Sequence, residues 1–595
     1  MRKRTIAFNI FLVMLLGSGC HDLDLYDLDD PSSASWHQRK EEFRYSLNAL
    51  YIGKTAGLTD ALWSDNLIRR GQLSTPKTGG LQSTNGGIKN TWRDLYKGVA
   101  RAVRIREELE EKGGILPEDL RAQYEAEVKY HLANTYTVLI TRFGDVPFIN
   151  KTLTIDESRT VSRTDKNTIK EQIFQWYDEA ASALPVSYDG LQYATKGAAY
   201  AQKARAALYL EEWAVAKDAA KACIDLGKYS LHDDYADLFF SKTKHSPEII
   251  ISYPRSNELN RNFSTNWWIP RCVPSGYGGT NPTWDLLATY ECIDGKMIDE
   301  SPLFDPRNPF QDRDPRLKAT IVPFGKQTAS DQLTASSGVN FNGIDYNPHP
   351  QALWVMNHNT GQMIFNHDSR GRQTHAPYNA LLKAKGIDEE WYDDLRSDQD
   401  QMIHRYAEVL LTYAEAQIEL SNGDLGQARW AINLIRERAY RGTGIPFPEI
   451  TSNDRDELRK ILRNERRVEL ALEGQRYMDL IRWRLAEHAF NGYNLAPLYA
   501  IPNPSTDAKP EDIEGKLIDL IVNKGLWFWA ETPTIDPQTG LPQFKDWEEG
   551  DEGSGKKSFA RVLSTMKFDP NRHYLFPIPQ AEIDLNENLT QNPEY

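Results

Sequence analysis

Residues 454–490, DRDELRKILRNERRVELALEGQRYMDLIRWRLAEHAF, carry the pattern that decides the fold. Apolar residues recur at helical spacing on both sides of Gly474, which predicts two helices, over 454–472 and 475–490, that meet at this glycine. Acidic and basic side chains alternate along both helices. We therefore expect a helical hairpin whose charged residues form ion pairs.

Each acid of this hairpin has a basic residue nearby. Arg466 precedes Glu469, Arg476 precedes Asp479, and Asp479 precedes Arg482, each by three residues, which makes the members of each pair neighbours on a helix. A cation beside an acid lowers the pKa of that acid, which argues against general acid–base catalysis here. The predicted structural ion-pair network comprises Glu408, Glu415, Arg463, Glu465, Arg466, Glu469, Glu473, Arg476, Asp479 and Arg482.

Several further segments have helical periodicity. The predicted helices are 95–112, 120–143, 168–184, 195–211, 213–226, 402–420 and 425–440. Ala204 and Ala216 are twelve residues apart, as are Ala416 and Ala428, which is the spacing of small residues in tetratricopeptide hairpins. The sequence predicts a mainly α fold of tetratricopeptide-like hairpins, with long irregular loops packed against them and a short strand at 249–251.

The first residues, MRKRTIAFNIFLVMLLGSGC, form a basic start, an apolar run and small residues before Cys20. This pattern predicts a signal peptide over residues 1–19 and lipidation of Cys20, with ordinary cleavage nearby as the alternative. Residues 20–35 are acidic and predict a solvated tether. No later apolar run approaches the 18 residues that a membrane-spanning helix needs.

Composition excludes several classes of protein. The chain has 595 residues and a net charge of −14, which argues against nucleic acid as a partner. Its four cysteines have no zinc-ligand spacing, and a Cys272–Cys292 bridge and free buried thiols both remain open. We expect no metal site, no cofactor and no catalytic residue.

Three strings in the second half of the chain resemble the SusD/RagB family of outer-membrane lipoproteins. They are RYAEVLL at 405–411 continuing to YAEA at 413–416, RNERRVEL at 463–470 continuing to DLIRW at 479–483, and YLFPIP at 574–579 continuing to QNPEY at 591–595. Weaker matches lie at 142–147, 294–296 and 313–316. The resemblance implies a helical, SusD-like body that covers a TonB-dependent, SusC-like transporter and binds nutrients without cleaving them.

The resulting hypothesis is a lipid-anchored, surface-exposed outer-membrane protein that binds glycan and delivers it to such a transporter. A peptide-binding member of the same family is one alternative. A surface glycosidase that uses Glu408 and Glu415, seven residues apart on one helix face, is the other.

Tryptophans in loops with polar neighbours indicate candidate ligand sites, because exposed aromatic residues in loops tend to mark binding surfaces. The candidates are Trp63, Asp65, Asn66 and Arg69; Trp267, Trp268, Arg271 and Tyr277; and Trp354 with Arg372. The alternative for each tryptophan is packing at the junction of a loop and a helix.

We divide the chain accordingly. After the signal peptide at 1–19 and the tether at 20–35 come an N-terminal helical region at 36–240, a loop-rich candidate ligand face at 241–400, and a C-terminal helical region at 401–595 with a loop insertion at 497–572.

Overall fold

The structure is a computed structural model that describes residues 36–595 with interruptions. The residues not described are 1–35, 52–57, 71–72, 190–192, 272, 274, 325–339, 342, 346–353, 367, 369–376, 378, 389–390, 392–394, 498–528, 530 and 545–559. The predicted signal peptide, Cys20 and the acidic tether lie outside the described residues, as do Cys272, Arg372 and much of the 497–572 insertion.

Helices dominate the described residues. In chain order, α1 to α16 are Lys40–Asn48, Leu58–Trp63, Gly86–Lys112, Glu118–Phe143, Ile155–Ser158, Lys166–Ala183, Lys196–Tyr209, Trp213–Asp225, Trp284–Thr289, Arg316–Thr320, Tyr406–Glu419, Leu425–Tyr440, Arg455–Glu469, Arg476–Arg482, Ala486–Ala489 and Gln580–Ile583. The predicted mainly α fold class is confirmed. No helix among the described residues is both long and apolar enough to cross a bilayer.

The strands are short. In chain order, β1 to β14 are Leu67–Arg69, Ile249–Tyr253, Phe263–Ser264, Thr280–Pro282, Asn340–Phe341, Ile344–Asp345, Trp354–Asn357, Gln362–Phe365, Arg396–Ser397, Gln401–Arg405, Tyr493–Pro497, Thr534–Ile535, Pro542–Gln543 and Ala560–Thr565. They form two-stranded ladders and one four-stranded sheet of β5, β6, β7 and β8. These ladders organise the loops that pack against the helices.

The expected tetratricopeptide-like hairpins are α7 with α8 and α11 with α12, and α8 packs against α11. Ala204, Ala216, Ala416 and Ala428 are all buried, so the small residues do lie in the helix seams. The turn of the second hairpin is tight, since a Cβ added to Gly423 would lie 1.9 Å from the carbonyl oxygen of Gln417.

The predicted helix over 402–420 is wrong at its start. Residues 401–405 form β10, which pairs antiparallel with β2, and the helix begins only at Tyr406. The strand ladder satisfies the backbone groups of this segment, and it overrides a local pattern that helix and strand share. β2 itself matches the predicted strand at 249–251.

The hairpin at 454–490 also differs from its prediction. Gly474 does lie at the hinge, with φ of 92°. The second helix, however, breaks after Arg482, because Arg484 adopts a left-handed φ of 55°, and a short helix follows at Ala486–Ala489. The hairpin touches two hydrophobic cores, one built by the helical hairpins and one built around Trp284 and Tyr290.

Two cysteines are free and buried, Cys223 and Cys292. Of the two alternatives left open by the sequence, free buried thiols therefore apply to Cys223 and Cys292.

Candidate functional site

An aromatic and cationic surface lies where the end of β1 meets the loop before β4. It consists of Arg69, Arg70, Trp267 and Tyr277, and we call it the Trp267 cluster. The guanidinium carbon of Arg69 lies 3.9 Å from the centre of the Trp267 ring, and that of Arg70 lies 5.2 Å away. The Trp267 and Tyr277 ring centres are 5.6 Å apart. Tyr277 is 39% exposed, so the cluster reaches solvent.

The backbone holds this cluster in place. β1 pairs antiparallel with β4, with Arg69 opposite Thr280. The N–H groups of Gly279 and Thr280 donate to the carbonyl oxygen of Trp267 at 2.9 and 3.0 Å. A Cβ added to Gly279 would lie 2.6 Å from the Trp267 ring, so glycine at this position lets the ring lie against the backbone.

Arg70 is fixed by two hydrogen bonds. Its backbone N–H donates to the carbonyl oxygen of Gly279 at 2.7 Å, and its Nη2 donates to that of Tyr277 at 2.7 Å. Arg70 was not among the sequence candidates. Its position next to Arg69 in the chain was the signal that could have identified it.

Three of the predicted ligand residues prove to be structural. Asp65 and Asn66 are only 3% and 1% exposed, which contradicts their assignment to a ligand-binding loop. Asp65 Oδ1 accepts a hydrogen bond from Arg476 Nε at 2.9 Å, and Asp65 Oδ2 lies 2.9 Å from Arg467 Nη2. Trp63 packs edge-on against Tyr477 and Phe576 at 5.5 and 5.4 Å between ring centres. Charge pairing and aromatic packing therefore bury the segment that composition alone had assigned to the surface.

The other candidates lie around or apart from the Trp267 cluster. Trp268 is 7% exposed, with the Lys383 ammonium 4.4 Å from its ring centre, so it is a core residue rather than a binding platform. Arg271 supports the loop by donating from Nη1 to the carbonyl oxygen of Gly276 at 3.1 Å. Trp354 lies opposite Phe365 in the separate four-stranded sheet.

Charged residues of the hairpin form a buried cluster that ties distant segments together. Glu469 is completely buried and contacts Arg405 at 2.7 Å, Arg316 at 3.0 Å, and Arg438. Burial alone would raise the pKa of Glu469, but the three arginines outweigh it and hold that pKa well below its ordinary value. The side chains of this buried charge cluster are Glu248, Glu291, Arg316, Lys385, Arg405, Arg436, Arg438, Glu465, Glu469 and Glu473.

The predicted partners within the hairpin are partly wrong. Arg466 contacts Asp479 at 3.1 Å rather than Glu469, and Arg476 contacts Asp65 rather than Asp479. Only Asp479 with Arg482 forms the expected pair three residues apart, at 2.8 Å. Partners from other segments replace the helix neighbours because these side chains point into the interior.

Arg463 does not belong to the ion-pair network. No carboxylate of the described residues lies within 4.0 Å of it; its guanidinium instead lies over the Trp483 ring, 5.2 Å from the ring centre. The sequence pattern gave no indication of the partners that the network does use, Glu248 and Arg316, because both are far from the hairpin in the chain.

The surroundings of Glu408 and Glu415 argue against their use as the acid–base pair of a glycosidase. Glu408 accepts a hydrogen bond from Arg205 Nε at 2.6 Å, and Glu415 accepts one from Arg482 Nη2 at 2.7 Å. Both carboxylates are buried. Burial opposes ionisation of Glu408, yet Arg205 and His404 lower its pKa well below the ordinary value. A carboxylate held ionised and enclosed has no proton to donate at neutral pH.

Comparison with known proteins identifies the family. A model of the SusD family matches residues 247–595, which is more than half of the chain. The chain belongs to the SusD family. A second family model, described as starch-binding associating with outer membrane, matches residues 54–210. The SusD/RagB resemblance drawn from the sequence strings is therefore confirmed.

Relatives of this SusD-family chain are distant in sequence but similar over most of their length. SusD-like protein P25 of Formosa agariphila is 25% identical over 432 residues, covering 72% of this chain and 75% of that protein. SusD-like protein P2 of the same organism is 23% identical over 531 residues, covering 84% and 94%. The crystal structure of a SusD-like carbohydrate binding protein from Bacteroides fragilis has a TM-score of 0.70 at 23% identity, covering 93% of this chain and 99% of that chain.

One further carboxylate of the SusD-family chain has an unusual environment. Asp285 lines a cavity of about 290 Å³ together with Asp65 and His488. Burial raises the pKa of Asp285 to about 7, although Arg467 and Lys77 lower it. An acid whose pKa is raised by folding binds its proton more tightly in the folded state. Folding stability is therefore lost as the pH rises from the ordinary aspartate value through about 7.

Replacing Asp285 by asparagine should remove this loss. We expect the free energy of unfolding of Asp285→Asn, relative to that of the wild type, to rise by roughly 1–3 kcal/mol between pH 5 and pH 8. Urea denaturation of both proteins at several pH values measures this difference. Asp218→Asn is the control, because Asp218 is an exposed aspartate on α8 beside Lys217, and the change with pH should be larger in Asp285→Asn than in this control. A difference for Asp285→Asn that is independent of pH would contradict the assignment.

Proposed function

We propose that the chain is a glycan-binding outer-membrane lipoprotein that presents oligo- or polysaccharide to a TonB-dependent, SusC-like transporter. The observation that carries the proposal is the Trp267 cluster. A sugar ring has an apolar face and a rim of hydroxyl groups, so it requires an aromatic platform beside hydrogen-bond donors. Exposed Tyr277, packed against Trp267, supplies the platform. Arg69, which lies over the Trp267 ring, and Arg70 supply the donors.

Membership of the SusD family supports this proposal. One matching family model is described as starch-binding, and the similar Bacteroides fragilis protein is described as carbohydrate binding. The Trp267 cluster also combines the proposed ligand face at 241–400, which contains Trp267 and Tyr277, with the N-terminal region at 36–240, which contributes the two arginines.

The membrane arrangement follows from the proposal and from the N-terminal sequence. Cleavage before Cys20 and acylation of its side chain would anchor the protein, and the acidic segment 20–35 would hold the body away from the lipid surface. The outer-membrane description of the second family model supports this arrangement.

Affinity electrophoresis against a broad polysaccharide panel, followed by calorimetry with the polymer that binds, tests the proposed function. We expect Trp267→Ala to weaken binding at least tenfold, about 1.4 kcal/mol, because a central tryptophan contributes disproportionately to a binding surface.

Trp430→Ala provides the matched control. Trp430 is 40% exposed on α12, outside the Trp267 cluster, and its replacement should leave binding unchanged. Equal affinities for wild type and Trp267→Ala would refute this site. Binding of oligopeptides and of no polysaccharide in the panel would instead favour the peptide-binding alternative.

A further inference from the structure

The Trp267 cluster carries positive charge that the described part of the chain does not neutralise. No carboxylate of the described residues lies within 4.0 Å of the Arg69 or Arg70 guanidinium, and the only side-chain hydrogen bond of the pair is the one from Arg70 to a backbone carbonyl. The Nε atoms of both arginines are buried and have no acceptor among the described residues. A guanidinium has five N–H donors, so the described residues accept few of the hydrogen bonds that this pair can donate.

The pair differs from several other arginines of this protein, whose net charge is −14. Arg44 is matched with Glu127, and Arg205 with Glu408. Arg69 and Arg70 instead lie beside one another. Burial and the neighbouring Arg70 lower the pKa of Arg69, which shows that its charge is incompletely compensated.

The buried acid Asp368 contacts the backbone of this loop. Asp368 is completely buried and accepts the backbone N–H of Arg271 at 2.7 Å. Arg271 in turn donates to the carbonyl oxygen of Gly276. These contacts hold the loop that carries Tyr277.

We propose that the Trp267 cluster binds an acidic saccharide, with Arg69 and Arg70 holding its carboxylate or sulfate group while Trp267 and Tyr277 contact the sugar ring. This inference rests on the proposed function and narrows its ligand class. A guanidinium forms paired hydrogen bonds with the oxygens of a planar carboxylate and binds tetrahedral oxyanions in the same way, which a neutral sugar cannot match. An anion would also compensate the two adjacent positive charges.

The test uses the mature protein and two pairs of polymers. One pair is a polyuronate and its carboxyl-reduced form, and the other is a sulfated galactan and its desulfated form. We expect one anionic polymer to bind at least tenfold more tightly than its neutral partner, and the pair that shows the difference identifies the anionic group. The difference should shrink as salt rises from 50 to 500 mM, because exposed charges are screened.

Variants assign the effect to residues. Arg69→Gln with Arg70→Gln should abolish the preference for the anionic polymer and retain weak binding of the neutral one. Arg70→Lys, which keeps the charge, should retain part of the preference. Arg441→Gln is the control, since Arg441 is an exposed arginine paired with Asp233 and should have no influence.

The outcomes separate this inference from the proposed function. Equal binding of charged and neutral polymers, still lost in Trp267→Ala, would overturn the acidic ligand and keep the glycan-binding function. A preference that survives in the double variant would overturn the role of the two arginines. Binding of acidic peptides and of none of the four polymers would overturn both proposals. The wild-type comparison alone decides the ligand class if the double variant does not fold.

Discussion

Replacing Glu469 by glutamine is expected to lower the free energy of unfolding by about 3–5 kcal/mol, or to prevent folding altogether. Glu469 is the acid that three buried arginines share, Arg316, Arg405 and Arg438. Glutamine keeps the size of the side chain and removes its charge. The three guanidinium groups would then remain in the interior without their common anion, and breaking one half of a buried ion pair is far more costly than omitting the pair.

Urea denaturation, followed by tryptophan fluorescence and by circular dichroism, measures this effect. Glu419→Gln is the matched control, because Glu419 and its partner Arg459 are partly exposed, and this change should cost no more than about 1 kcal/mol. Comparable losses for the two variants would show that the buried charge cluster is not what stabilises the hairpin.

The same cluster predicts a response to acid. The folded protein lowers the pKa values of Glu469 and Glu473, because the arginines around them outweigh the burial that would raise those values. Such a group contributes stability above its unfolded pKa, and this contribution is lost as the pH falls through the acidic range. In Glu469→Gln, stability should therefore fall less steeply than in the wild type as the pH drops below the ordinary glutamate pKa. At neutral pH the variant should be less stable than the wild type.

Replacing Asp65 by asparagine is expected to have the second large effect. It should lower the free energy of unfolding by about 3 kcal/mol. Asp65 is the shared partner of Arg467 and Arg476, and the two arginines lower its pKa to about 2 despite its burial. Burial also lowers the pKa of Arg467 to about 10, although Asp65 raises it. Asp65 is the carboxylate that lies within ion-pair distance of both arginines, and asparagine would remove its charge.

Asp65→Asn and Trp267→Ala should affect different properties of the protein, stability in the first case and binding in the second. The first should lower stability and leave the glycan affinity of the folded protein unchanged, whereas the second should weaken binding and leave stability almost unchanged. Thermal denaturation and calorimetry on both variants distinguish the two roles. A loss of affinity in folded Asp65→Asn, with unchanged stability, would return Asp65 to the ligand site where sequence reasoning had first assigned it.

Local patterns predicted the helical hairpins well. The tight turn at 421–424, the hinge at Gly474 and the buried alanines of the helix seams depend on residues close to one another in the chain. The exceptions arose where distant segments compete with local preference. Residues 402–405 have a pattern that suits a helix, but they become a strand because β2 provides a hydrogen-bonding partner.

In the candidate site, too, some residues were predicted from local sequence, whereas their contacts depend on distant segments. Trp267, Tyr277 and Arg69 were predicted as ligand residues, but they came from two separate sequence windows that nothing in the chain connects. Pairing of β1 with β4 brings those windows together and adds Arg70. Asp65 and Asn66 had the same loop composition as the residues of the Trp267 cluster, but they are buried and contact arginines of the distant hairpin.

The amino-acid sequence by itself determined the mainly helical architecture, the family and the abundance of paired charges, because periodicity, spacing and motif strings are local properties of the chain. Tertiary structure alone decided which acid meets which arginine and which tryptophan remains at the surface. Ion pairs and aromatic contacts depend on distances in space, and residues hundreds of positions apart compete equally for the same partner once the chain has folded.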